Sequence, residues 1–148
     1  MIKNIINRKD LLPEVLVSVR APVNVLGRNK LRDSLYVVDW HMPVSISPTK
    51  YAISVRSDDS VKGMISKAGN FVLNFMGPEH EELVLSCEEL NGLFVDLFEL
   101  FMIAKSDADM VESPRIKEAK EVLECRVEQE LESGDHTIFV AQVVGPRV

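Results

Sequence analysis

Residues 122–144 carry the pattern that most restricts how this chain can fold. Leu123, Cys125, Val127 and Leu131 alternate with Glu124, Arg126, Glu128 and Glu130, the period of two of a strand with one apolar face and one wet face. Ser133-Gly134-Asp135 supplies turn residues, and Thr137 to Val144 is a second apolar run. The segment therefore reads as a β-hairpin. A lone hairpin is marginal in water, so other elements must cover its apolar face. The 148 residues, 46 % of them hydrophobic and 27 % charged, suffice for one core of ordinary size, and 1–148 is expected to be a single domain.

Upstream, the same signals recur. Val15 to Arg20 is β-branched and bounded by Pro13 and Pro22, which reads as a strand. Asn24 to Asp33 is polar, contains Gly27 and Asn29, and is expected to be a hairpin-type connection into the apolar run Leu35–Asp39. Tyr51 to Arg56 alternates after the turn signal Ser47-Pro48. The period then changes: Val61, Met64, Ile65 and Ala68 mark one face of a short helix, with Asp59 or Ser60 as its cap and Gly69 at its end. Phe71 to Phe75 returns to strand, Gly77-Pro78 breaks the chain, and a glutamate-rich stretch to Glu89 reads as helix. Val95 to Ile103 fits helix or strand equally, and Lys105 to Pro114 is the most loop-like segment. Together these predict a mainly β chain with short helices, either a barrel or a sandwich.

Several function classes are excluded at this point. Seventeen Lys and Arg against 23 Asp and Glu leave a net charge of −6, which is not the basic footprint of a nucleic-acid binder. Cys87 and Cys125 form no CxxC and have no histidine at metal spacing, so no metal site is expected. They read as reduced thiols of a cytoplasmic protein. The basic start at Lys3, Arg8 and Lys9 is interrupted by Asp10, Pro13 and Glu14, unlike a signal peptide. No apolar run reaches the roughly 18 residues of a membrane helix, so no membrane partner is expected.

Three segments, read together, resemble the flavin reductase-like family. Trp40-His41-Met42-Pro43-Val44-Ser45, followed by Pro48, is similar to its W-x-x-P-V-S stretch. Val55-Arg56, a helix, and then Phe71-Val72-Leu73-Asn74 resemble its order of strand, arginine, helix and F-x-V-N. Leu123-Glu124-Cys125-Arg126-Val127 followed by Gly134-Asp135-His136 looks like its ECxV … GDH hairpin. These cover most of residues 14–144 in the right order.

The resemblance implies a Greek-key-like, FMN-binding split β-barrel that acts as a homodimer, with FMN in a groove at the interface and NAD(P)H as hydride donor. On that likeness, Trp40 and the stretch holding Ser34, Tyr36, Val37, Val38 and Asp39 flank the flavin. Arg56, Ser57 and Ser60 meet its phosphate, and His136 lies near the ring. No catalytic acid or base is assigned, because hydride transfer to flavin needs none. Relatives also commonly continue past the hairpin into a segment that closes over the flavin.

The chain departs from the family pattern at identifiable places. Ser34 stands for the usual asparagine, Val37 for a threonine, Val61 for a threonine, and Leu97 for the lysine of a D-K-F triplet. Carboxylates appear at Asp39, Asp58 and Asp59, two of them beside Arg56. Asp39, Val61 and Leu97 favour a second reading: a split-barrel homodimer that has lost FMN and serves as a small-ligand or protein-interaction module.

Overall fold

A computed structural model describes residues 2–7, 10–93 and 95–147; Arg8 and Lys9 of the basic start lie outside them. The strands are β1 (Val15–Val25), β2 (Arg28–Val38), β3 (His41–Ile46), β4 (Thr49–Arg56), β5 (Asn70–Phe75), β6 (Lys105–Ser106), β7 (Arg115–Ile116), β8 (Glu121–Ser133) and β9 (His136–Gly145). The helices are α1 (Ile2–Asn7), α2 (Ser60–Ala68), α3 (Glu81–Glu89) and α4 (Leu97–Leu100). Seven strands form one antiparallel sheet in the order β2-β1-β5-β8-β9-β4-β3, and β6 pairs with β7.

That order has a geometric consequence. β2 and β3 are the two edges of the sheet, yet only Asp39 and Trp40 separate them in the chain. Six interstrand spacings in a flat sheet would put the edges about 29 Å apart. Val38 and His41 are three peptide units apart, which span at most about 11 Å. The sheet must therefore roll until its edges meet at this end, while the edges themselves stay unpaired. The result is the expected mainly β, Greek-key-like split barrel, open along one seam.

The roll creates an inside and an outside. Val15, Val17, Val19 and Ala21 of β1 face inward and join Ile53, Val55, Phe71, Leu73, Leu123, Cys125 and Phe139 in the main core. α2 plugs this interior with Val61, Met64 and Ile65, the apolar face its spacing predicts, and Gly69 ends it at φ 70°. The opposite face of β1 and β2 is also buried: Leu16, Leu35 and Val37 pack with Val84 and Cys87 of α3 and Leu97 and Phe98 of α4.

Three expectations change in detail. The polar stretch Asn24 to Asp33 is mostly strand, turning at Leu26-Gly27. The tip of this hairpin projects beyond the core, so paired backbone holds the strands where no burial pattern marks them. Val95 to Ile103 resolves as the short helix α4, capped by Asp96, whose Oδ1 accepts from the Glu99 amide at 3.2 Å. Asp59 stands at the cap position of α2, but its side chain makes no capping bond.

The loop-like segment 105–114 is pegged to the sheet by buried polar groups. Asn74 donates Nδ2 to Leu16 O and Ser18 Oγ, each at 2.9 Å, and accepts from the Ile116 amide at 2.8 Å. Ser18 Oγ donates to Pro114 O at 2.5 Å. The fully buried Glu124 carboxylate accepts from the Asp109 and Met110 amides at 2.9 and 2.5 Å. Asp33, nearly buried, is bonded by Arg20 at 2.8 Å and Lys105 at 2.6 Å. Burial pushes its carboxyl up, but these two cations outweigh it and hold it below the usual range.

Replacing Asn74 with alanine leaves buried partners without bonds, each costing about 1–3 kcal/mol. Urea unfolding of Asn74→Ala should show a loss of about 2–4 kcal/mol with an unchanged m-value; a loss under about 0.5 kcal/mol would contradict this anchoring. Asp33 stabilises the fold above the unfolded carboxylate pKa and ceases to as pH falls through its lower folded value. Asp33→Asn should accordingly weaken the stability loss between about pH 4 and the acid side of it; an unaltered acid limb would count against this ion-pair assignment.

Candidate functional site

The seam opens a groove of about 310 Å3 lined by Tyr36, Val37, Val38, Asp39, Trp40, Ser54, Val55, Arg56, Asn91 and His136. The end of β2 supplies one wall, the two-residue edge link supplies Asp39 and Trp40, and β4 and the start of β9 supply the floor. The pairing Arg56↔His136 between β4 and β9 fixes those two side chains near one another.

Trp40 is 63 % exposed but not loose. Its carbonyl accepts from the Ser54 amide at 2.9 Å, and its ring stacks on His136 with centroids 4.5 Å apart and planes 26° from parallel. His136 Nδ1 in turn donates to Asp135 Oδ1 at 2.7 Å, and that hydrogen bond holds the Asp135 carboxyl below its ordinary value. An exposed aromatic surface held flat in this way is a face on which another planar ring can stack.

The polar rim is already engaged with itself. Arg56 Nε and Nη2 reach Asp58 Oδ1 and Oδ2 at 3.1 and 3.3 Å; the contact raises the arginine pKa and lowers that of the aspartate. Tyr36 donates its hydroxyl to Asp59. Burial, then Asp59, raises the phenol above its usual range. Asp59 also abuts Gly92, whose φ is +80° and whose added Cβ would stand 2.6 Å from Asp59 Oδ1. Only glycine suits that position, on both conformation and space. Asn91 beside it donates Nδ2 to Val37 O at 2.8 Å and accepts from the Val37 amide at 2.9 Å. It thereby satisfies the exposed edge of β2 as a neighbouring strand would.

Of the groove residues, Asp39 also belongs to a second acidic group: carboxylate oxygens of Glu14, Asp39 and Glu88 lie within 4.8 Å of one another. Burial, then Asp39 and Glu14, raises the Glu88 carboxyl.

Of the residues read from sequence as flavin-side, Tyr36, Val37, Val38, Asp39, Trp40, Arg56 and His136 come together in this groove. Ser34, Ser57 and Ser60 are not among its lining residues. Ser34 pairs with Val19 along β2. Ser57 bonds Thr137 Oγ1 through its hydroxyl at 2.8 Å and Asp135 O through its amide at 3.0 Å. Ser60 is the exposed first residue of α2. Sequence reading missed Ser54, Val55 and Asn91. The polar Ser54 between Ile53 and Val55 and the turn dipeptide Asn91-Gly92 were the available signals, and neither points to the seam without the topology.

The family model described as flavin reductase like domain matches residues 15–148. An uncharacterised protein of Archaeoglobus fulgidus is 30 % identical over 131 residues, which are 88 % of this chain and 73 % of that protein. Flavoredoxin from Methanosarcina acetivorans superimposes with a TM-score of 0.75 at 24 % identity, covering 91 % of this chain and 67 % of its own. The NADH:FAD oxidoreductase SgcE6 of Streptomyces globisporus gives 0.72 at 20 % identity, covering 89 % and 74 %.

The Asn91 amide makes a direct prediction at the groove wall. Asn91→Ala removes both partners of Val37 at an edge strand, so hydrogen exchange at the Val37 amide should speed up by about tenfold or more. Unchanged protection at Val37 would refute the bridging role.

Proposed function

This chain belongs to the flavin reductase-like family, and on that premise we propose that its groove binds the ring of a flavin and serves hydride or electron transfer between flavin and NAD(P)H. The observation that carries the reading is the Trp40–His136 stack, a planar aromatic surface held at the mouth of a groove of about 310 Å3. A bound flavin supplies the hydride and one-electron chemistry, and the protein supplies position and environment. Trp40 and His136 would lie against the ring, Val38 and Val55 would keep water from one side, and the Ser54 hydroxyl would offer a hydrogen bond.

FMN is the form the family likeness implies. The ring half of that cofactor fits the groove, because the stacked rings of Trp40 and His136 stand in its lining. The phosphate half fits less well, because Arg56 already holds Asp58. A nicotinamide nucleotide as donor accords with the NADH:FAD oxidoreductase among the structural neighbours.

The homodimer belongs to the same proposal. β3 bonds only to β4 within the sheet, and Trp40, Met42, Val44 and Ile46 at this edge are all exposed. A second copy seated there would cover an apolar face and wall the groove. Cytoplasmic location is proposed on the two buried free thiols, with burial pushing Cys87 up to about 11. Among the described residues, no helix is long and apolar enough to cross a membrane.

The second reading, a split-barrel module without flavin, draws on the Arg56–Asp58 contact. One experiment separates the two. Saturating flavin should raise the melting temperature of the protein by several degrees, about 2.7 kcal/mol of linkage at a hundredfold excess over Kd. Trp40→Ala should lose at least about tenfold in flavin affinity. Under anaerobic conditions, the flavin-loaded protein should bleach on addition of NADH or NADPH. No thermal shift with any flavin would overturn the flavin reading in favour of the module.

A further inference from the structure

A phosphate monoester brings close to two negative charges at neutral pH, so the charge already present around the groove decides how well it is received. At the α2 end, Arg56 contributes one positive charge and the N-terminus of α2 contributes about half of another. Asp58, Asp59 and Asp135 surround them with three carboxylates: the first on Arg56 itself, the second beneath Tyr36, the third on His136. Asp39, the other carboxylate of the groove lining, has Glu14 and Glu88 beside it. The surroundings of Arg56 therefore carry no net positive charge.

Neutral donors of Ser57, beside Arg56, and of Val37, in the groove wall, are already engaged. The Ser57 hydroxyl and amide are bonded to Thr137 and Asp135, and the Val37 amide to Asn91. What the rim presents instead is a set of carboxylates, which are pure acceptors. Acceptors of that kind suit the hydroxyl groups of an uncharged polyol chain and repel a phosphate.

We propose that this groove takes flavin in its unphosphorylated form, riboflavin, in preference to FMN, and that Asp58 sets the choice by holding Arg56 where a phosphate would meet it. The proposal rests on the flavin reading above. An exposed ion pair such as Arg56–Asp58, with side chains 51 % and 70 % exposed, is weak by itself. The discrimination comes from uncompensated negative charge around the arginine, and Asp58 is its nearest member.

Calorimetric titration of the protein and of Asp58→Asn, each with riboflavin and with FMN, tests this. The wild-type chain should bind riboflavin about tenfold more tightly than FMN at low ionic strength. Added salt should strengthen FMN binding by screening repulsion and leave riboflavin binding unaltered. Asp58→Asn should improve FMN affinity by about tenfold and change riboflavin affinity by less than about twofold. The salt series needs no variant, so it stands even if Asp58→Asn folds poorly. Tighter binding of FMN than of riboflavin, weakening with salt, would overturn the proposal. So would equal affinities that ignore Asp58→Asn. Binding of neither flavin would overturn the flavin reading and this inference with it.

Discussion

The link of Asp39 and Trp40 between the two edges of a seven-stranded sheet is the constraint on which the rest of the molecule depends. Two residues cannot bridge a flat sheet of that width, so the sheet must roll, and rolling makes an interior that needs filling. α2 fills it, with Val61, Met64 and Ile65 against the inward face of β1. The same link places Trp40 on the seam, where its carbonyl is bound by Ser54 and its ring by His136. His41, the next residue, ties the seam to the segment before β1 by donating Nε2 to Pro13 O at 2.7 Å. Fold closure and groove formation are thus one event.

A groove at a seam needs a stiff frame, and β1 provides it. Its first residues are buried on both faces, by the barrel interior on one side and by α3, α4 and segment 105–116 on the other. Covering a sheet with irregular backbone normally leaves amides and carbonyls without partners. Ser18, Asn70, Asn74 and Glu124 supply those partners from within the strands. Buried polar groups that are fully bonded specify one arrangement of the covering loop, because any shift would leave several of them unpaired at once.

How much of this was legible in the sequence follows from the range of each interaction. The β8–β9 hairpin, α2 and its glycine end, and strands β1, β4 and β5 were readable because their signals lie within a few consecutive residues. The family likeness named Trp40, Arg56 and His136 as neighbours of one ligand, and the rolled sheet brings these three side chains to one groove. The Tyr36–Asp59 and Asn91–Val37 contacts were not readable, since each joins segments that only the rolled sheet brings together. Asp59 looked like a helix cap and is instead bound by Tyr36. The projecting part of the β1–β2 hairpin was misread as a connection because solvent on both faces erases the alternation that marks a strand. Asn74 illustrates a third case: it sits in a family-like string, yet here its whole amide is engaged in holding a loop.

Flavin stacking at the Trp40–His136 surface can be followed directly, because Trp40 is the only tryptophan in the chain. Its emission therefore reports on that surface alone. Titrating the protein with riboflavin while recording tryptophan emission should give saturable quenching, one flavin per chain, because a ring in contact with the indole removes its excited state. Tryptophan emission that stays constant while calorimetry registers bound flavin would place the ligand elsewhere and contradict stacking on Trp40.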